Sequence, residues 1–205
     1  MLSQKRSQSS RIEVGDVEFE AEENREDLGL ASFNSDEEFC VLQFVGPVKG
    51  EWVAQLEKLG VGFGDYVSYN AYIVKMGFHT IYQVTSIRGM EFIRFITKFV
   101  SEFKISSRLK GRKRVLPLEE FRTLEIVPES IPYDRKGNLT IILHDPAYMS
   151  EVSQTIEELE GTIVAAEEDF IRAAIHPSTD SIEKIVKHLG VKWIEPYVPP
   201  KFFLN

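Results

Sequence analysis

From residue 38 onward, apolar positions recur with two alternating periods. Phe39 to Val45 is apolar throughout except Gln43, the pattern of a central strand. Gly46-Pro47 stops it, and Pro47 suits the first turn of a helix. Val48, Trp52, Leu56 and Leu59 share one helical face, with Lys49, Glu51, Glu57 and Lys58 opposite. Gly60 ends that helix. Val61-Gly62-Phe63-Gly64-Asp65 reads as a turn. Tyr66 to Met76 reads as two extended pieces around a bend at Ser68–Asn70. A shorter helix from His79 to Arg88 carries Ile81, Val84 and Ile87, and Phe92 to Ile96 closes the series as a strand.

The same order then returns. Leu139 to Leu143 is a strand, and Tyr148, Val152, Ile156 and Leu159 form a helix face ended by Gly161. Thr162 to Ala166 and Phe170 to Ile175 are strands joined by the acidic turn Glu167-Glu168-Asp169. Thr179 caps a helix bearing Ile182, Ile185, Val186 and Leu189, closed by Gly190. The last strand, Val191-Lys192-Trp193-Ile194, echoes Ile93-Arg94-Phe95-Ile96. Each half reads strand–helix–strand–strand–helix–strand. With right-handed crossovers, that order predicts an α+β fold of two tandem ferredoxin-like (βαββαβ) modules. Each is a four-stranded antiparallel sheet with two helices on one face. The expected boundaries are an acidic, flexible arm at 1–37, a first module at 38–105, a linker at 106–136, a second module at 137–197 and a tail at 198–205.

Helices on one face leave the other sheet face bare. A half-solvated strand alternates apolar with polar residues, whereas the first module is apolar on both alternations. Phe39, Leu42, Phe44, Tyr66, Tyr72, Ile73, Phe92, Phe95 and Phe99 carry that pattern. Its second face is therefore expected to be buried by the sister module, a second copy or another protein.

Charge refines the arm and the linker. Of 205 residues, 24 are Lys or Arg and 32 Asp or Glu, a net charge of -8. Residues 1–40 hold eleven acids and four bases, so the remaining chain carries only -1. A segment so rich in Glu, Asp, Ser and Asn reads as a solvated tail. The alternative reading is a docking role for Phe19, Leu28, Leu30 and Phe33. The basic cluster Lys104, Arg108, Lys110, Arg112, Lys113 and Arg114 reads as a solvated linker, short of the extended basic face that nucleic-acid binding needs.

Chemistry-bearing patterns are absent from the sequence. The histidines, His79, His144, His176 and His188, are scattered, and there is no Walker loop, GxGxxG or GxSxG. Glu157, Glu158 and Glu160 lie on or near a helix's polar face. The single cysteine, Cys40, excludes an intrachain disulfide and reads as an inert buried thiol. The expectation is a non-enzyme with no catalytic residue, cofactor or metal, no membrane span and no signal peptide.

Particular residues do point to a family. Val41-Leu42-Gln43-Phe44-Val45-Gly46-Pro47-Val48, then Trp52, Leu59-Gly60-Val61 and Asp65 to Val74 resemble the N-terminal prodomain-like region of archaeal and bacterial subtilisin-like serine proteases. Phe103-Lys104-Ile105-Ser106 resembles the link between modules in that region, and Val191 to Tyr197 with Pro199-Pro200-Lys201 resembles its end. The resemblance implies a folding chaperone and inhibitor whose partner is a subtilisin-like catalytic domain, in cis or in trans. It also implies an extracellular setting. In such proteins the open sheet face packs on protease helices, and the following segment lies along the active-site cleft. Carried over, Phe44, Tyr66, Tyr72 and Phe95 are sheet-face residues, and Tyr197, Pro199, Phe202 and Phe203 belong to the cleft-facing tail. The protease's own catalytic motifs do not occur in this sequence. The chain is then expected to be either a detached pro-region or a stand-alone inhibitor. The alternatives are a tandem regulatory module binding a small molecule and, behind it, an RNA-binding sheet.

Overall fold

The computed structural model describes residues 11–21, 36–86, 90–110, 114–115, 137–175 and 178–198. They form an α+β protein with mostly antiparallel sheets, divided into two compact units. One comprises residues 1–100 with 114–125, the other residues 101–113 with 126–205.

The first unit opens with a hairpin, β1 (Arg11–Val14) and β2 (Val17–Glu20). Val14 pairs with Val17 across Gly15-Asp16, and Gly15 has φ +57°, as a two-residue hairpin turn requires. β7 (Arg114–Val115) adds in parallel to β2. The expectation of a flexible arm is therefore corrected for residues 11–21. Ile12, Val14, Val17 and Phe19 alternate with charged residues and are buried. That period-2 stripe can bury its apolar side whatever the segment's net charge.

A four-stranded antiparallel sheet follows, built from β3 (Glu38–Phe44), β4 (Gly62–Tyr66), β5 (Ala71–Met76) and β6 (Ile93–Lys98) in the order β4-β5-β3-β6. Helix α1 (Gly50–Lys58) links β3 to β4, and α2 (Phe78–Ser86) lies between β5 and β6. Pro47 precedes α1 rather than starting it, because Lys49 is the N-cap. At the other end Gly60, at φ +90°, closes α1 in a Schellman motif, its N–H donating to Glu57 and that of Val61 to Leu56. Val61 to Asp65 is not a turn. Gly62 onward is edge strand β4, hydrogen-bonded to β5. The true turn holds Tyr69 and Asn70 at φ 46° and 62°. Leu56, Ile81 and Val84 pack on Cys40, Leu42, Phe44, Val74, Met76 and Ile96 to form the core.

In the second unit β8 (Gly137–Leu143), β9 (Thr162–Glu167), β10 (Phe170–Ile175) and β11 (Val191–Pro196) make a sheet ordered β11-β8-β10-β9. A short 3-10 helix (Ser101–Lys104) and helix α3 (Ser107–Lys110) lead in. Ile105 bridges Ile194 of β11, so residues 101–110 are packed structure of this unit rather than the end of a module and the start of a linker. Lys104, expected in solvent, is buried and donates to the carbonyls of Val186 (3.0 Å) and His188 (2.8 Å). It satisfies acceptors that a helix end leaves open and complements the helix dipole.

Helix α4 (Met149–Glu158) packs on β9 and β10, and α5 (Thr179–Val186) on β11. The left-handed residue after α4 is Glu160 (φ 57°), not Gly161. Gly161 is required for a different reason: a Cβ there would lie 2.7 Å from Ile156 Cγ2. Ser178, one residue before Thr179, caps α5, its Oγ accepting from Ser181 N–H at 3.1 Å. Gly190 does not close α5, which ends at Val186, but lies against the Tyr148 ring. Expectations resting on Leu28, Leu30, Phe33, Ile87, His176, Pro199, Phe202 and Phe203 fall outside the described residues.

Candidate protein-docking face

The two sheets differ in what covers the side away from the helices. In the first unit that side carries Val41 and Gln43 of β3, Ala71 and Ile73 of β5, and Phe95 of β6, whose exposures run from 0 to 6%. Phe19 of the hairpin lies on Phe95, with ring centroids 5.8 Å apart. Ser68 ties the hairpin to the β4–β5 turn, its Oγ accepting from Glu13 N–H at 2.8 Å. The face is buried as expected, but part of its cover is the unit's own hairpin, which is not among the three expected suppliers.

The four expected sheet-face residues do not share a side. Phe44 is buried beneath the helices, stacked near Trp52 and Phe92. Tyr72 is half-buried on that same side, edge-on to Phe44 at 6.2 Å. Tyr66 pairs with Tyr72 on β4 and is exposed. Phe95 lies opposite them, under Phe19. The period-2 rule separates them: Leu42 and Phe44 share one side, Val41 and Gln43 the other.

In the second unit, Leu139, Ile141 and Leu143 of β8 and Ile171, Ala173 and Ile175 of β10 face the helices and are buried. Their neighbours form two rows across the opposite side. Trp193, Ile142, Phe170 and Glu167 make one row; Glu195, Thr140, Arg172 and Ala165 make the next. Trp193, Ile142, Phe170, Arg172 and Glu195 are half-buried. Tyr197, just past β11, is held by its N–H to the Asn138 carbonyl (2.8 Å) and lies under the Arg172 guanidinium at 3.8 Å. Trp193 Nε1 donates to Glu195 at 3.3 Å. Arg172 Nε has no hydrogen-bond partner among the described residues. An apolar row beside a charged one, rich in Trp, Tyr and Arg, has the composition of a protein-binding surface. Glu167 and Glu195 flank it, a poor match for a polyanion.

Of these residues, only Tyr197 belonged to the expected site. Trp193 was legible as the counterpart of Phe95: both follow a register shift against the first strand of their sheet and point away from the helices.

A further polar arrangement escaped a reading by spacing. His188 lies between Glu151 Oε1 (3.2 Å from Nδ1) and Thr155 Oγ1 (2.7 Å from Nε2). A carboxylate–imidazole–hydroxyl relay can activate a nucleophile. Here Thr155 sits mid-helix with its hydroxyl also on the Glu151 carbonyl (3.3 Å), so the contacts tie α4 to the turn after α5. Cys40 is fully buried, and burial pushes its thiol well above the usual range, reinforced by Glu38 and opposed by Lys98. Among the described residues no group of three or more His, Cys, Asp and Glu is placed to hold a metal ion. No described helix is long and apolar enough to cross a membrane.

Residues 9–100 match a family described as a domain of unknown function (DUF8729). The matched span takes in the hairpin together with β3 to β6, so it treats as one piece what the packing of Phe19 on Phe95 joins. No curated protein and no solved structure matches the chain.

Proposed function

We propose that the chain is a prodomain-like docking module for a subtilisin-like serine protease, built as two ferredoxin-like units, with the second unit making contact. The strand order supports the fold reading. Counting only the strands of each four-stranded sheet in chain order, it runs second, third, first, fourth, which is the order a βαββαβ chain adopts when both crossovers are right-handed.

One observation carries the functional reading: the first sheet's outer side is buried, with Phe19 of the unit's own hairpin lying on Phe95, while the second sheet keeps Trp193, Ile142, Phe170 and Arg172 half-exposed. The second unit also leads, through β11 and Tyr197, directly into the segment that the family resemblance assigns to the protease cleft. A sheet face on protease helices and an extended segment in the cleft would together inhibit the enzyme. The same contacts would template its folding. A standard interface of about 800 Å² per partner suffices for such specificity.

The test is titration of a subtilisin-like catalytic domain with the whole chain, following peptide hydrolysis and recovery of activity after denaturation. Slow-onset inhibition and improved recovery are expected. Trp193→Ala should weaken both by about 2 kcal/mol or more, on the order of thirtyfold, as truncating an interface anchor does. Equal inhibition by Trp193→Ala and the parent chain would remove this face from the mechanism.

A further inference from the structure

Strand β9 forms one edge of the second sheet and, among the described residues, pairs only with β10. In an antiparallel ladder alternate residues direct their N–H and C=O groups to the neighbour; on an edge strand the remaining ones face outward. The other edge is partly occupied. Ile105 bridges β11, and Ser106 N–H donates to the Ile194 carbonyl at 2.9 Å.

Edge strands are usually protected by Lys or Pro, by covering elements or by bulges. β9, Thr162-Ile163-Val164-Ala165-Ala166-Glu167, has neither Lys nor Pro. Thr162, Val164, Ala166 and Glu167 are exposed. It does carry one of these devices, a bulge, with the ladder to β10 resuming on both sides of it: Arg172 pairs with Ala165 but Ala173 with Ile163, leaving Val164 as the extra residue. Bulges can re-aim a side chain, and here Val164 is 53% exposed.

Charge selects the occupant. Glu157, Glu158 and Glu160 precede the strand, Glu167, Glu168 and Asp169 end it, and residues 157–169 contain no base. All six acids are exposed. Antiparallel pairing of two copies would set the acids at the end of one β9 against those before the other. Parallel pairing would align like with like. Either arrangement is opposed by repulsion, whereas an extended segment with bases at both ends and small or β-branched residues between them is attracted.

We infer that β9 is a strand-addition edge for an extended basic peptide, which joins the second sheet as a fifth strand. Its backbone amides complete the ladder, its centre packs beside Val164, and its terminal Lys or Arg side chains meet the acids on either side. This does not rest on the protease reading, and its test uses no protease.

The probe is the capped peptide Lys-Lys-Val-Thr-Val-Lys-Lys, titrated into the full chain with residue-resolved amide NMR. Signals of residues 162–167 should move. Affinity should fall about tenfold or more when Glu replaces Lys, when alternate peptide amides are N-methylated, and when the chain carries Glu167→Lys with Asp169→Lys. Circular dichroism checks that the double variant is folded, and the N-methylated peptide tests the backbone requirement without altering the protein. Equal binding of the N-methylated peptide would overturn strand addition. So would shifts confined to Phe170, Arg172 and Trp193, or absence of binding at millimolar peptide. Concentration-dependent self-association of the chain that is lost in Val164→Lys would assign the edge to a second copy and refute the proposal.

Discussion

The ring of Phe19 lies 5.8 Å from that of Phe95, tilted at 53°, and so places the N-terminal hairpin on the outer side of the first sheet. Both side chains are buried. Removing the Phe19 ring should leave a cavity between hairpin and sheet. Phe19→Ala is expected to destabilise the first unit by about 3–5 kcal/mol in urea denaturation. A loss below about 1 kcal/mol would show that the hairpin contributes little to folding.

Phe95 and Trp193 hold equivalent strand positions with different cover, so truncating them should have opposite signatures. Phe95→Ala should chiefly cost stability. Trp193→Ala should leave most of the stability in place, because the side chain is already half in solvent. Denaturation midpoints and protease inhibition, measured on both variants, separate the two effects.

Lys104 is expected to stabilise the second unit although it lies in a basic run. Lys104→Met keeps the apolar stem but removes both donations to Val186 and His188. Hydrogen bonds from charged donors contribute about 1.5–3 kcal/mol, so a loss of about 2–3 kcal/mol is expected from urea denaturation. Arg108→Met, at an exposed position, should change stability by no more than about 0.5 kcal/mol. Equal effects of the two changes would contradict the capping role.

The thiol of Cys40 gives a pH signature with a definite sign. Its folded pKa is raised, chiefly by burial. The folded state therefore favours the neutral form, and its stabilising contribution is complete below the unfolded thiol's pKa of about 8.5. Above that pH the unfolded state ionises first. Stability should then fall by up to about 1.4 kcal/mol per pH unit from this group, and Cys40→Ala should remove that component of the slope. Native Cys40 should also resist thiol-labelling reagents until the unit unfolds.

Glu160 occupies the left-handed position after α4, where Gly60 stands after α1. Glu160→Gly should therefore stabilise the second unit by up to about 1 kcal/mol, since a left-handed side-chain residue carries strain that glycine avoids. Thermal denaturation tests this; a loss of stability would mean that the Glu160 side chain makes a compensating contact.

Much of the element order was legible because burial alternates with different periods in helix and strand. Val152 and Ile156, or Ile171, Ala173 and Ile175, announce their own partners. The hairpin was not, because acids at Glu13, Asp16, Glu18 and Glu20 dominate the composition and mask the alternation of Ile12, Val14, Val17 and Phe19. Lys104 was read as solvated because its partners, the carbonyls of Val186 and His188, lie more than eighty residues away in sequence. The cover over Phe95 was not legible for the same reason. Aromatic strands signal that a face is covered, but the covering residue for Phe95 is Phe19, which local pattern alone does not pair with it.

The most direct measurement uses the two tryptophans, Trp52 in the first unit's helix-side cluster and Trp193 on the second unit's open face. With both replaced by 5-fluorotryptophan, the chain gives a fluorine NMR line for each, assigned with Trp52→Phe. On addition of an unlabelled subtilisin-like catalytic domain, the account predicts that the Trp193 line moves while the Trp52 line stays. Movement of the Trp52 line alone, or of neither line at saturating enzyme, would contradict it.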